Sequence, residues 1–429
     1  MATVKPFKGI IYNKGKVGKV EKVIAPPYDV IPKEMQASLY RRDPHNVVRL
    51  ILGKIYPGDT SRNNRYTRAK RSFDSWLKGG VMVRDEADSL YIYSQTYRYG
   101  GRRFERTGFM GLMGLDGGKG KDSVLSHENT LRAPKVDRLS LIRSIKANLS
   151  PIFVLYEDGR HAIVNILKRH CRAKRPLIDL YYDDVRHRMW RLDDARDIKR
   201  IEALMRPKDI FIADGHHRYE VARAYSAEVQ RRGAGDELKK NSKSMMVYFV
   251  ESDERMLTIL PAHRLVKDIG ALKEGDILQR VERSFFVQKM RSMKVLMGAL
   301  ERSGGAHAFG MYTGKGRFYL LKLKSVAYSD RVIRENSDTW KRLDVTILHL
   351  FLMQHVLGIR DEDDNVEFVK DPGELPGLVD KRRFKIAFFL NPTMVSQVKR
   401  IARMGERMPR KATYFYPKPL SGLVINKLN

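Results

Sequence analysis

The chain has 429 residues, of which 82 are Lys or Arg and 50 are Asp or Glu, so its net charge is +32. This length predicts two or three domains. No uncharged apolar run approaches the length of about 18 residues that a membrane span needs. The single cysteine, Cys171, excludes an intrachain disulfide and a multi-cysteine metal site. Because the N-terminus has no apolar stretch of signal-peptide length, we expect a cytoplasmic protein without a membrane partner.

The positive charge makes nucleic acid a possible partner. The excess is spread from Lys5 to Lys427, and no zinc finger, basic zipper or RNP-type motif accompanies it. Anionic small substrates explain the charge equally well. Nucleic acid is therefore a possible partner but not the favoured one.

The N-terminal part predicts a strand at Phe7–Tyr12 and a proline-stiffened loop at Ile24–Pro32. Helices are predicted at Lys33–Arg41 and Tyr66–Lys78, with an apolar strand at Val47–Leu52 between them.

An alternating pattern then predicts a strand at Ser89–Tyr97, a hairpin turn at Tyr99–Arg103 and a second strand at Thr107–Leu112. The pattern becomes helical at Asp137–Leu149, and Ile152–Tyr156 reads as a short buried strand.

Helix and strand also alternate between about residues 240 and 390. Strands are predicted at Ser244–Val250 and Phe318–Leu323, and helices at Asp276–Phe285, Met293–Arg302 and Val345–Leu357. The fold class that follows is α+β or mixed α/β.

The most informative motif is Asp214-Gly215-His216-His217-Arg218, which follows an apolar strand-like run and precedes a helix-like run. A glycine turn at a helix N-terminus is where phosphates commonly bind. Arginine can donate two parallel hydrogen bonds to phosphate, and histidine exchanges protons near neutral pH. An ordinary polar turn with two surface histidines is the alternative.

A second cluster, Ser126-His127-Glu128-Asn129-Thr130, precedes the helix that carries Arg138. A carboxylate beside a histidine can act as a general base on a hydroxyl group. A helix-capping role is the alternative, because Asn129, Thr130 and Asp137 can all cap backbone N–H groups.

Three further clusters combine polar groups with stiff or apolar surroundings. They contain Tyr28 and Asp29, His263 and Arg264, and Lys411 and Lys418. Each is a candidate ligand-binding group, and each is also explained by turn or packing roles.

Several common sites are excluded. His127-Glu128 does not begin a His-Glu-x-x-His zinc motif, because residue 131 is Leu. No glycine loop ends in Gly-Lys-Ser/Thr, and no serine lies in a Gly-x-Ser-x-Gly elbow.

Four motifs in order resemble an uncharacterised family known as domain of unknown function 1015. They are Ala25–Ile31, Ser126–Thr130, Ile212–Tyr219 and Met408–Lys418, and they span nearly the whole chain.

The middle of the chain is also similar to ParB-like free serine kinases, which share a small nucleotide-binding fold with ParB and sulfiredoxin. This resemblance implies a core at 121–240 with an insertion near 160–208, an N-terminal α/β region at 1–120 and a C-terminal α/β region at 241–429. It implies Glu128 as the base, assisted by His127 and His217. It places Asp214, Gly215, His216, His217, Arg218 and Arg138 around the nucleotide phosphates.

The function these observations favour is a small-molecule kinase that uses ATP or ADP with Mg²⁺ and acts on free serine or a similar hydroxyl compound. Asp214 is the expected Mg²⁺ ligand or organiser of the phosphate site. The main alternative is a nucleotide-gated, ParB-like protein that binds nucleic acid without turnover. A redox role like that of sulfiredoxin is disfavoured, because histidines stand where its cysteine is expected.

Overall fold

A computed structural model describes residues 3–115, 124–128, 132–233, 235–334, 336–359 and 365–429. Asn129 and Thr130 of the predicted capping cluster lie outside these residues. The chain divides into two compact units: Met1–Ser126, Thr130–Leu257 and Pro417–Asn429 form the first, and His127–Asn129 and Thr258–Tyr416 form the second. The three regions expected from the sequence, 1–120, 121–240 and 241–429, stay a prediction.

The strands are β1 (Val4–Lys5), β2 (Ile10–Tyr12), β3 (Met82–Arg84), β4 (Leu90–Tyr99), β5 (Arg102–Gly114), β6 (Val124–Leu125), β7 (Ala147–Asn148), β8 (Ile152–Tyr156), β9 (Ile178–Tyr182), β10 (Val185–Leu192), β11 (Ile210–Asp214), β12 (Ser244–Glu251), β13 (Thr258–Ile259), β14 (His263–Val266), β15 (Phe285–Met290), β16 (Ala308–Tyr312), β17 (Phe318–Leu323), β18 (Val366–Val369), β19 (Ile386–Leu390), β20 (Phe415–Tyr416) and β21 (Asn426–Lys427).

The α-helices are α1 (Lys14–Val17), α2 (Lys33–Arg42), α3 (Val48–Ile51), α4 (Arg65–Lys78), α5 (Arg132–Ile145), α6 (Ala162–Ala173), α7 (Ala195–Met205), α8 (His216–Arg231), α9 (Asp236–Asn241), α10 (Glu274–Glu282), α11 (Met293–Arg302), α12 (Val326–Asp330), α13 (Asp338–Lys341), α14 (Asp344–Thr346), α15 (Glu374–Asp380) and α16 (Val395–Arg403). Short 3₁₀ turns occupy Val20–Lys22 and Tyr28–Val30, and a π-helix occupies Ile347–Val356.

The first unit is built on a mixed sheet. Its described strands run in the order β6-β11-β8-β12-β5-β4-β10-β9, and β1 pairs with β5 beside them. Strand β8 lies parallel to β12 and antiparallel to β11. The predicted mixed α/β class is confirmed.

Helices α6 and α7 cover part of this sheet, because their apolar residues share one core with the buried faces of β8, β11 and β12. Helices α5 and α8 pack together in a smaller cluster that includes Leu428. The segment expected to be an insertion, 160–208, contributes β9 and β10 to the sheet and α6 and α7 to its core.

The second unit contains an antiparallel sheet in the order β15-β17-β16-β19-β14-β18 among its described strands. Apolar residues of α11 and α15 pack on it. No helix in the described ranges is long and apolar enough to cross a membrane.

Most of the predicted elements form, including the β4–β5 hairpin, whose Gly100 and Gly101 have φ of 56° and 77°. The predicted strand Val47–Leu52 is wrong, since Val48–Ile51 is the helix α3. The Asn46 carboxamide oxygen accepts the Val48 N–H at 2.9 Å and starts a turn there. A short buried apolar run cannot by itself distinguish strand from helix.

Other boundaries also differ from the prediction. The helix predicted at Asp137–Leu149 ends at Ile145, and Ala147–Asn148 is the strand β7. The helix predicted at Asp276–Phe285 ends at Glu282, and Phe285 begins β15. In the first segment only Ile10–Tyr12 is a strand, while Phe7 makes an isolated bridge to Ser89.

Candidate functional site

The Asp214–Arg218 segment, called the Asp214 turn below, joins the end of β11 to the first residues of α8. Gly215 is the N-cap of α8, with φ of 99°, and it has no side chain to cap the helix. A Cβ at this position would lie 2.7 Å from Ile152 Cγ2 and 3.0 Å from Arg218 Nη2. Only glycine fits both the conformation and the space. The strand–glycine–helix context predicted for this motif is confirmed.

An ion network holds the turn. The Arg218 guanidinium donates to Asp214 Oδ2 at 2.8 Å and to the Pro151 carbonyl. The other Asp214 oxygen, Oδ1, lies 2.6 Å from Lys418 Nζ, and Lys418 also contacts Asp29. Three segments that are distant in sequence therefore meet at one cluster.

Lys418 is a largely buried cation, with 10% of its side chain exposed. Burial alone would lower the pKa of its ammonium group, but the Asp214 and Asp29 carboxylates outweigh burial and raise that pKa. Lys418 is therefore charged, and it forms an ion pair with each carboxylate.

A second cation lies beside Tyr28. The Arg138 guanidinium carbon is 4.0 Å from the centre of the Tyr28 ring. Arg138 donates to Asp137 Oδ2 at 2.7 Å and to the Ile51 carbonyl at 2.7 Å. Burial raises the pKa of the Tyr28 hydroxyl, and the charges of Arg218 and Arg138 partly oppose that rise. Tyr28 is thus a neutral hydroxyl near two guanidinium groups.

These residues border a cavity of about 70 Å³, called the Tyr28 cavity below. Its lining residues are Tyr28, Ile51, Arg138, Leu141, Ile142, Ala147, Asn148, Leu149, Ser150, Arg218, Val221, Ala222 and Met245. The space is small compared with the roughly 300–1,000 Å³ of most ligand pockets. In this conformation the cavity is too small for a whole nucleotide.

The polar part of the Tyr28 cavity includes residues that the sequence did not single out. Asn148 accepts the Met246 N–H at 3.1 Å, and Ser150 Oγ lies 2.7 Å from Ser421 Oγ. Asp137 was expected as a possible helix cap, and in the structure it binds Arg138. No local signal in the sequence marks these roles, because they depend on contacts between distant segments.

The two histidines of the Asp214 turn begin α8. His216 is buried and His217 is half-buried, as expected for neighbours whose side chains point in different directions on a helix. Their roles in catalysis or phosphate binding stay predictions.

His127 and Glu128 belong to the second unit, where both approach Thr413. His127 Nε2 lies 3.1 Å from Thr413 Oγ1, and that hydroxyl donates to Glu128 Oε1 at 3.4 Å. The His127 carbonyl accepts the Met408 N–H at 2.7 Å. The His-Glu motif and the C-terminal motif thus contact each other. The pairing of Glu128 with the Asp214 turn stays a prediction.

The remaining candidates lie in the second unit. His263 accepts the Leu390 N–H at 3.3 Å, and burial, aided by the charge of Arg264, lowers its pKa to about 4. Arg264 is buried too and donates to His349 Nε2 at 2.6 Å. Lys411 is exposed. His263 and Arg264 are core residues of β14, whereas Lys418 belongs to the first unit.

The donor set around Asp214 does not fit a Mg²⁺ site in this conformation. Both oxygens of Asp214 contact cationic nitrogens, and a metal ion at either oxygen would meet their repulsion. No group of three or more His, Cys, Asp or Glu residues in the described ranges is arranged to hold a metal ion.

No curated protein sequence matches the chain. Similar solved structures include a conserved hypothetical protein from Pyrococcus furiosus, with a TM-score of 0.35 and 13% identity, covering 74% of this chain and 94% of that chain. A free serine kinase in complex with AMP has a TM-score of 0.33 and 12% identity, covering 71% and 86%. SbnI with a C-terminal truncation, from Staphylococcus aureus, has a TM-score of 0.35 and 14% identity, covering 73% and 85%. At TM-scores this low the comparison does not establish a shared fold.

A family model matches residues 4–346, which is most of the chain. The chain belongs to the family described as protein of unknown function, DUF1015.

Proposed function

We propose that this protein is a phosphotransferase that moves a phosphoryl group from ATP or ADP to the hydroxyl of a small acceptor, most simply free serine. The observation that carries this proposal is that Arg138, Tyr28 and Arg218, the last residue of the Asp214 turn, line one cavity beside the first turns of α8. Phosphoryl transfer depends mainly on positioning and on neutralising phosphate charge, and these groups supply both.

The phosphates of the donor would bind at the N-terminus of α8, where backbone N–H groups and the helix dipole favour an anion. Within the described residues Arg218 donates two hydrogen bonds to oxygen atoms. Arg138 donates three. A guanidinium carries five N–H donors, so both side chains have donors left for phosphate oxygens. Asp214 and Asp137 hold the two guanidinium groups in place.

The resemblance assigns the chemical step to Glu128, with His127 and His217 assisting. The acceptor oxygen would form a bond to the terminal phosphorus while the bond from that phosphorus to the bridging oxygen breaks. Glu128 would take the hydroxyl proton, and ADP or AMP would leave. No step is assigned to Mg²⁺, because the Asp214 donor set does not fit a metal ion.

The first test uses the purified full chain with ATP or ADP, with free serine and with a panel of hydroxyl metabolites. We expect phosphoserine by mass spectrometry. Replacing the guanidinium in Arg218→Gln should weaken nucleotide binding by at least about tenfold, measured by calorimetry. Arg231→Gln, which changes an exposed arginine at the other end of α8, is the matched control and should bind normally. Tight nucleotide binding with no product from any acceptor would refute the kinase proposal.

The second test separates binding from chemistry. Glu128→Gln removes the proton acceptor while preserving shape, so turnover should fall by roughly 100-fold or more while nucleotide affinity stays unchanged. Glu301→Gln, on the exposed surface of α11, should leave both unchanged. Full activity in Glu128→Gln would remove Glu128 from the mechanism.

A further inference from the structure

The second unit contains a cavity of about 880 Å³, called the His355 cavity below. This volume lies within the roughly 300–1,000 Å³ of small-molecule sites. We infer that this cavity binds a small organic anion, one with phosphate or carboxylate groups joined to an apolar part. The inference is independent of the proposed function, because none of the residues proposed for phosphoryl transfer lines this cavity.

One wall of the His355 cavity is the end of the π-helix Ile347–Val356 and the residues that follow it. π-Helical backbone is rare, and where it occurs it frequently marks a functional site. Here it presents His355, Val356, Leu357 and Gly358 to the cavity. Gly358, which follows the C-cap Leu357, has a φ of 71°, in the left-handed region that favours glycine. An unusual backbone thus shapes the wall of the cavity.

Two arginines supply the positive charge of the lining. Arg280 and Gln279 lie on α10, and Arg283 follows it. Both arginines are exposed, and neither makes a hydrogen bond or an ion pair with another part of the described chain. Asp276, the acidic group of the lining, accepts the Lys273 N–H at 2.9 Å as part of a helix cap. The cavity therefore has two arginines for one carboxylate.

A simpler explanation is that these arginines compensate the C-terminal end of α10, where cations stabilise unpaired carbonyls. In that role the guanidinium groups would donate to the last carbonyls of the helix. Within the described residues neither Arg280 nor Arg283 does so. Guanidinium donors that line a cavity suit the paired oxygens of phosphate or carboxylate.

The other lining residues indicate what the uncharged part of the ligand is. Ile269, Leu272, Val356 and Leu357 offer apolar surface beside the two arginines. Gln279 and His355 add hydrogen-bonding groups that accept or donate. A free inorganic anion would use only the charged part, so an anion with an apolar portion is the better match.

Calorimetry on the full chain tests this site, with phenyl phosphate as the phosphate probe and phenylacetate as the carboxylate probe, because each joins its anionic group to an apolar part. We expect at least one of them to bind, and Arg280→Gln/Arg283→Gln to weaken that binding by at least about tenfold. Preference for one probe identifies the anionic group. Failure of the wild-type chain to bind either probe at millimolar concentration would overturn the inference.

Two controls exclude other causes. Arg291→Gln/Arg302→Gln removes two exposed arginines of the same unit that do not line the cavity, and binding should persist. Arg218→Gln should leave binding of the probe intact. If the probe instead loses affinity for Arg218→Gln and binds the Arg280→Gln/Arg283→Gln variant normally, the anion site is the Asp214 turn and the inference is overturned. Circular dichroism melting of each variant establishes that it is folded.

Discussion

Two buried basic side chains of the first unit, Lys418 and His187, have pKa values shifted in opposite directions because their partners differ. Lys418 lies between two carboxylates, which raise the pKa of its ammonium group in spite of burial. His187 is also buried, but its Nδ1 lies 2.6 Å from the neutral Tyr93 hydroxyl. Burial, aided by the charge of Arg106, lowers the pKa of His187 to about 3. The structure therefore keeps Lys418 charged and His187 neutral.

The neutral state of His187 makes the stability of the first unit depend on pH. Above the unfolded-state pKa of about 6.5 the imidazole is neutral in both the folded and the unfolded state, so its titration does not change the free energy of unfolding. As the pH falls below that value the unfolded chain binds a proton that the folded chain does not, so stability is lost. We expect this residue to account for about 2 kcal/mol of the free energy of unfolding lost between about pH 7 and pH 5.

Urea denaturation at the two pH values measures this contribution. His187→Gln should lower stability at neutral pH yet show a smaller loss on acidification than the wild type. His355→Gln, at an exposed position, should keep the wild-type pH dependence. An unchanged pH dependence in His187→Gln would show that His187 is protonated equally in both states.

At the scale of elements, the geometry of the Asp214 turn depends on Gly215. Gly215→Ala would place a methyl group 2.7 Å from Ile152 Cγ2 in a backbone with φ of 99°. We expect a loss of about 1–3 kcal/mol in unfolding free energy and a loss of nucleotide binding. Gly233→Ala is the matched control, because its Cβ meets nothing within 4 Å. Denaturation and calorimetry on both variants test this, and equal behaviour of the two would refute the role of the turn.

Local patterns predicted those elements whose length and periodicity were unambiguous. The helix at Tyr66–Lys78 and the strand at Ile152–Tyr156 form nearly as expected. The run Val47–Leu52 was misjudged because its helical start depends on the Asn46 side chain. Pattern alone did not predict that Asp29, Asp214 and Lys418 meet, since long-range packing brings them together. It identified them only as separate candidates.

At the scale of the whole molecule, pairing within the chain cannot account for the charge. Even if each of the 50 carboxylates paired with one cation, 82 − 50 = 32 Lys or Arg residues would remain. Such an excess attracts polyanions at low salt whatever the specific function is. Binding to nucleic acid in low salt therefore cannot distinguish a kinase from a nucleic-acid-binding protein.

The dependence on salt and nucleotide can distinguish them. If the charge is a general surface property, duplex DNA of any sequence should bind, and the logarithm of its binding constant should fall linearly with the logarithm of the salt concentration. At about 0.15 M salt the dissociation constant should be above about 1 µM. Fluorescence anisotropy with two unrelated duplexes, with and without ATP or ADP, measures this. We expect no effect of nucleotide, because in the proposed function the nucleotide is a phosphoryl donor to a small acceptor and does not gate nucleic-acid binding. Tight binding at about 0.15 M salt that appears only with nucleotide would instead favour a nucleotide-gated nucleic-acid-binding protein, in which the same Asp214 turn senses the nucleotide without transferring its phosphate.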